Sequence, residues 1–379
     1  MRRAFAALLA GSLAVALWAP AAGAAPGTGA SCAILMDADS RRILYEQNIH
    51  QPRQIASITK LMTALVAVEA EPDLGRVVRV QSEWLEGCEG SSIYLRAGEE
   101  ITLEGLLYGL LLQSGNDAAA AIAWAVAGSQ EAFVERMNRR AWELGMDHTS
   151  FANPSGLNHE DNYSTAYDMA LLACACLANE TVADICATPS ATVGSRTFAN
   201  HNRLLYQYEG CVGMKTGYTQ KAGRTLVSAA RREGQTLVCV TLNDPDDWAD
   251  HTALLDYGFA NYPSRVQCEQ GQVLGRRAVS GSLLPSVEAA AGEQVRYPLA
   301  RGEELEYRIE WAGALEAPVA PGAVVGTVWW TLDGQEVACT ELVCLQGAAS
   351  DRYENNSWWA RLWRKLLGEA EPGFGAQLI

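Results

Sequence analysis

The stretch QIASITKLMTAL, residues 54–65, sets Ser57 three positions ahead of Lys60, where the chain turns apolar and helix-like. At the start of a helix, positions i and i+3 share a face, so the amine reaches the hydroxyl. A serine hydroxyl is a poor nucleophile without a base, and a neutral lysine serves as one. Arginine cannot, because it stays protonated in proteins. The chain has four lysines against 25 arginines, so a lysine here runs against the bias of the composition. Ser-x-x-Lys alone is a weak signal, since an N-capping serine beside a surface lysine leaves the same letters.

The 379 residues are 49% hydrophobic and 19% charged, an ordinary globular composition with length for two domains. The net charge of −15 argues against nucleic acid as a partner, because phosphate binding needs a basic face. At the N-terminus, Arg2 and Arg3 precede an apolar run from Ala4 to Trp18 and then the small residues Ala22, Gly23 and Ala24. That order is an export signal cleaved after Ala24 or Ala25, which places the mature protein outside the cytoplasm. Ten cysteines in an exported chain invite a disulfide reading, yet no C-x-x-C occurs. Cys174 and Cys176 sit in the apolar run ALLACACLA and read as buried thiols, while a bridge such as Cys339 to Cys344 stays open. The histidines at 50, 148, 159, 201 and 251 lack metal-ligand spacing and read as ordinary. Neither a metal nor an organic cofactor is expected.

Residues 25–262 read as an α-rich region with strands at both ends, a mixed α/β pattern. CAILMDADSRRILYEQN predicts two strands around a turn at Asp37–Arg41. Helices are expected after Ser57 and over 103–113, 117–127, 130–144 and 165–177. CVGMKTGYT reads as a strand, and RTLVSAARREGQTLVCVTLND as a hairpin turning at 232–234. Strands from both ends then join one sheet that the helices cover. Residues 263–347 shift to short β-rich runs, with Asp333-Gly334 as a favoured hairpin turn. Residues 348–379 read as a polar linker and an amphipathic helix.

Two further motifs raise the specificity of the first. LLQSGNDAAAA presents Ser114 and Asn116 between two helices, and GMKTGYT puts Lys215, Thr216 and Gly217 on a strand. Two of the four lysines thus occupy motif positions in the chain order Ser-x-x-Lys, Ser-x-Asn, Lys-Thr-Gly. With GCEGSSIYLRAGE, GMDHTSFANPSGLN, YSTAYDMALL and AGRTLVSAA, this set resembles the serine D-alanyl-D-alanine carboxypeptidases among the low-molecular-mass penicillin-binding proteins. The likeness is dense from Ala33 to Tyr262 and looser beyond.

The resemblance implies a penicillin-recognising, β-lactamase-like α/β fold followed by a small all-β sandwich. It implies Ser57 as the acylated nucleophile, Lys60 as its general base and Ser114 as the proton relay. Asn116 would hold the substrate amide, and Lys215 with Thr216 the terminal carboxylate. Gly217 would leave room for the substrate backbone, and the amides of Ser57 and Tyr218 would form the oxyanion hole. The implied partners are peptidoglycan pentapeptide stems and β-lactams. Three rival readings share the motifs: a β-lactamase, a muropeptide endopeptidase, and a non-catalytic wall or β-lactam binder. The Glu-x-x-Leu-Asn motif of class A β-lactamases is missing between Asn116 and Lys215, and Glu160 beside NPSGLNH lacks the pattern. In SWWARLWRKLLGEA, Trp358, Trp359, Leu362, Trp363, Leu366 and Leu367 fall on one side of a helix and Arg361, Arg364 and Lys365 on the other. This predicts a helix lying in a membrane interface.

Overall fold

The computed structural model describes residues 24–350. The N-terminal run read as an export signal, apart from its last residue, and the tryptophan-rich C-terminal segment lie outside them.

Five antiparallel strands form the central sheet: β1 (Cys32–Asp37), β2 (Ile43–Gln47), β3 (Cys211–Thr219), β4 (Gly223–Arg232) and β5 (Gln235–Leu242). Their order in space is β2-β1-β5-β4-β3, so the N-terminal hairpin does join strands from the far end of the unit. All residues of β1 and β5 are buried, because both faces of the sheet are covered. Ile34 and Met36 enter one core while Ala33 and Leu35 enter the other. Two-sided burial explains why these strands read as continuous apolar runs rather than alternating ones.

One face carries α1 (Lys60–Ala70), α2 (Leu103–Leu111), α3 (Asn116–Ala127), α4 (Gln130–Glu143), α5 (Ala166–Ala178) and α6 (Glu180–Ala187). The side-chain oxygens of Thr102, Ser129, Thr165 and Asn179 accept from backbone amides and start four of them. The short α7 (Leu204–Gln207) and the longer α8 (Asp247–Asn261) back the other face through Leu204, Leu254 and Leu255. Sequence reading overlooked α8 because its first turn is acidic and polar. Its register is pinned by His251, whose ring nitrogens meet Ser228 Oγ at 2.6 Å and Thr241 Oγ1 at 3.0 Å inside the fold.

The C-terminal part is β-rich, as expected. Six strands stand in the order Glu306–Trp311, Val324–Leu332, Gln335–Cys344, Ser286–Ala291, Val273–Ser280, Leu315–Glu316, around a second core containing Val325, Val328, Trp330 and Leu342. Asp333 and Gly334 both take positive φ, as a two-residue hairpin turn requires. All ten cysteines are free. Cys339 is exposed and Cys344 buried on one strand, an odd separation that sends them to opposite faces and removes the bridge left open above.

Arg42 clamps the two parts together. Its guanidinium meets both carboxylate oxygens of Glu303 at 2.8 and 2.6 Å, donates to the Pro298 carbonyl at 2.6 Å, and lies over the rings of Tyr262 and Tyr297. The hydrogen bond from Arg42 is the main reason Glu303 is held below its usual carboxylate range. A depressed carboxylate contributes stability above its unfolded pKa and loses it as pH falls through the folded value. We expect Arg42→Ala to cost about 2 kcal/mol at neutral pH. The gap between its thermal midpoint and the parent's should narrow below about pH 4, leaving what the Pro298 and tyrosine contacts contribute; an equal gap at pH 3 and pH 7 would contradict the clamp.

Candidate active site

Ser57 lies in the tight turn Ala56–Thr59 that leads into α1, with Ala56 forced to a φ of 51°. Lys60 opens the helix and is completely buried. Its Nζ has three neighbours: Ser57 Oγ at 2.9 Å, Asn116 Oδ1 at 2.7 Å and the Ser155 carbonyl at 2.5 Å. The last two can only accept, so they take two amine hydrogens. In the neutral amine the remaining position is a lone pair aimed at the Ser57 hydroxyl. Burial, and after it the charge of Lys215, pushes the Lys60 pKa well below the ordinary lysine value.

The Ser155 carbonyl was not foreseen. It belongs to a turn knotted by Asn153 Oδ1, which accepts from the amides of Ser155, Gly156 and Leu157. Thr63 Oγ1 latches the same turn to α1 by donating to the Pro154 carbonyl at 2.6 Å. Gly156 has a φ of +84°, and a Cβ there would sit 2.0 Å from the Ala56 carbonyl oxygen.

Ser114 takes a φ of 62° between α2 and α3 and lines the cleft. Asn116 is fixed at both ends of its amide: Oδ1 accepts from Lys60, and Nδ2 donates to the Glu89 carbonyl. Lys215 follows a register shift between Cys211 and Met214 in β3 that turns it inward. It is 1% exposed, and burial lowers its pKa to about 8. Its Nζ donates to the Thr216 carbonyl at 2.8 Å. At Gly217 a Cβ would lie 2.4 Å from Thr225 Oγ1 and 3.0 Å from the Ser57 amide nitrogen. The absent side chain therefore lets β3 approach the helix entry itself, a constraint separate from room for a substrate.

Ser57, Ser114, Thr216, Gly217 and Tyr218 line one cavity of about 720 Å³, with Lys60, Asn116 and Lys215 buried beside it. The cavity also takes in Ser91, His201, Arg203 and an Arg224–Asp247 ion pair beside Trp248. His201, read as ordinary from its spacing, thus stands on the cavity wall. Loss of solvent, then Lys215, pushes its pKa below the usual histidine value. No local spacing marks these residues, because loops distant in sequence bring them together.

Residues 20–246 match the D-alanyl-D-alanine carboxypeptidase model of peptidase family S11, and residues 266–349 match the penicillin-binding protein 5 C-terminal domain. The chain is 33% identical to D-alanyl-D-alanine carboxypeptidase DacF of Bacillus subtilis, covering 82% of this chain and 83% of the relative. It is 32% identical to DacC of Escherichia coli over 97% of each chain. Among solved structures, PBP3 of Streptococcus pneumoniae, a peptidoglycan synthesis regulatory factor, superposes with a TM-score of 0.77 at 28% identity, over 85% of this chain and 100% of that one. Penicillin-binding protein 5 of Haemophilus influenzae superposes with a TM-score of 0.73 at 28% identity, over 86% and 99%. The chain belongs to the D-alanyl-D-alanine carboxypeptidase family.

The packing of the site makes a prediction about two glycines. Gly156 and Gly128 both have positive φ, but a Cβ at Gly128 meets nothing within 4 Å. Gly128→Ala should cost about 1 kcal/mol of backbone strain. Gly156→Ala must also displace the Ala56 carbonyl and with it Ser57, and should cost at least about 3 kcal/mol in denaturant unfolding. Equal costs would show that the turn at Asn153–Leu157 is not seated against Ser57.

Proposed function

We propose the following division of labour for this chain, which is a serine-type D-alanyl-D-alanine carboxypeptidase. Neutral Lys60 takes the proton of Ser57, and Ser57 Oγ attacks the carbonyl of the penultimate D-alanine in a peptidoglycan stem pentapeptide. The developing oxyanion faces the amides of Ser57 and Tyr218, the first of them at the N-terminal end of α1, where negative charge is favoured. The peptide bond breaks, Ser114 relays a proton to the leaving amine, and terminal D-alanine departs. Water then hydrolyses the ester by the same route in reverse. Lys215 and Thr216 hold the terminal carboxylate. Asn116 keeps one Nδ2 hydrogen for the substrate amide while the other serves Glu89. β-Lactams enter as analogues that acylate Ser57.

The observation that carries this reading is the set of Lys60 contacts. Once Lys60 is neutral, the two pure acceptors take both its hydrogens and leave only the lone pair for Ser57. Against the β-lactamase alternative, the carboxylate lining the cavity, Asp247, is tied to Arg224. In this reading residues 1–24 are the export signal, 25–262 the catalytic unit, 263–347 the β unit and 348–379 the linker and membrane-interface helix. Among the described residues no single helix is long and apolar enough to cross a membrane. In the same reading, which rests on the N-terminal run and the amphipathic pattern of residues 358–367, the enzyme works outside the cytoplasm and is held to the membrane face.

Lys60→Arg keeps the charge but removes the base, so D-alanine release should fall by more than about a hundredfold. Release within tenfold of the parent would remove Lys60 from that role. The parent rate should rise with pH as Lys60 loses its proton. Above about pH 8 Lys215 loses its charge, so KM for the pentapeptide should climb while kcat holds. A C-terminally amidated pentapeptide should be a poor substrate, and equal cleavage of it would favour an endopeptidase. For the tether, the mature protein should pellet with anionic vesicles and a variant lacking residues 357–379 should not. Identical behaviour of the two would reject the anchor.

A further inference from the structure

Asp117 follows Asn116 in the first turn of α3 and is 4% exposed. Its carboxylate accepts four hydrogen bonds. Ser92 Oγ donates at 2.7 Å, and the amides of Ile93, Leu95 and Ala118 each donate at 3.0 Å. Three of these donors belong to residues 92–95, an irregular segment continuous with the Ser91 wall of the cavity. The same segment holds Asn116, since the Ser91 carbonyl accepts from the Asn116 amide at 2.8 Å and the Glu89 carbonyl from Asn116 Nδ2. The seat is tight: a Cβ on Gly115 would lie 2.9 Å from Asp117 Oδ1 and 3.1 Å from Ile93 Cγ2. A carboxylate can satisfy four donors, whereas an amide in its place would turn an NH2 towards two of them.

Asp117 also acts on Lys60 through space. Two charges face that amine from the elements packed around it: Lys215 on β3 disfavours its protonated form and Asp117 on α3 favours it. Around Lys215 stand the Cys186 thiol and the His201 ring. A general base works best with a pKa near the operating pH, so burial and Lys215 unopposed would leave Lys60 too weak.

We propose that Asp117 is a positioning residue of the reaction, fixing the Ser91–Leu95 wall beside Asn116 and balancing the charge of Lys215 at Lys60. The inference rests on Lys60 being the base. Removing the negative charge disfavours protonated Lys60, so the amine becomes neutral at lower pH. The acid limb of the rate profile then moves down, which loss of loop order alone would not cause.

The test follows acylation of the mature protein by a fluorescent penicillin from pH 5 to 10. Asp117→Asn should shift the acid limb down by about one pH unit. Its plateau should fall about tenfold, because two buried donors lose their acceptor. Ser92→Ala keeps the charge but removes the hydrogen bond to Asp117 and the one that Ser92 Oγ accepts from the Tyr94 amide, so its plateau should fall about fivefold with the limb in place. A limb in Asp117→Asn that stays put or moves up overturns the proposal, as does an unchanged plateau in Ser92→Ala. If Asp117→Asn yields no folded protein, the Ser92→Ala plateau decides alone. Lys60→Arg measured alongside separates the two readings. If it acylates normally, the base assignment falls and the Asp117 role with it. If it is inactive and the Asp117→Asn limb has not moved, the Asp117 inference alone is overturned.

Discussion

Two lysine amines are buried at one cleft floor, and removing an ammonium from water is among the costliest steps a fold can take. Lys60 responds by giving up its proton readily, and carbonyl oxygens from Asn116 and Ser155 then hold the amine in the orientation that faces Ser57. Lys215 keeps more of its basicity and remains the cation of the pair over most of the neutral range. Everything else in the catalytic unit serves to bring these two side chains together. They arrive from α1 and from the edge strand β3; Asn116 and the Ser155 turn hold the first amine, and the Thr216 carbonyl holds the second.

The required closeness is achieved by omission and by strain. Gly217 lets β3 reach the Ser57 amide, and Gly156 lets the Asn153–Leu157 turn reach the Ala56 carbonyl. Ala56, Ser114 and Met214 all adopt positive φ without being glycine, and each stands directly beside or within one of the three motifs. Such conformations persist only where surrounding packing over-determines them. Here that packing is the sheet, buried on both faces, with α1, α5 and α6 against one side, α3 packed on α1, and α8 pinned by His251 on the other. The β unit is attached through Arg42 at the far end of the same sheet, on the turn between β1 and β2, so that attachment leaves the cleft free.

A buried carboxylate completes the electrostatics. With Lys60 and Lys215 both withdrawn from solvent, the site has an excess of potential positive charge. Asp117 is placed to offset it while also tying down the wall that touches Asn116. One residue thereby links the order of the cleft wall to the strength of the base.

By itself the sequence singled out the groups proposed to react. Ser57, Lys60, Ser114, Asn116 and Lys215 declare themselves through fixed spacing and through lysine where the composition favours arginine. The helices, the two-ended sheet and the Asp333-Gly334 hairpin were legible because apolar periodicity and turn chemistry are local. Other features were decided only by tertiary structure. The Ser155 carbonyl on Lys60 leaves no mark in the letters, since every residue has a carbonyl. The cavity places of His201, Arg203 and the Arg224–Asp247 pair depend on loops that meet only after folding. The separation of Cys339 from Cys344 follows from strand faces, and the start of α8 was masked by its acidic first turn. The basicity of each lysine was likewise unreadable, because desolvation is a sum over everything packed around an amine. Spacing along a chain can name a base, but only the closed fold can withdraw the water that makes it one.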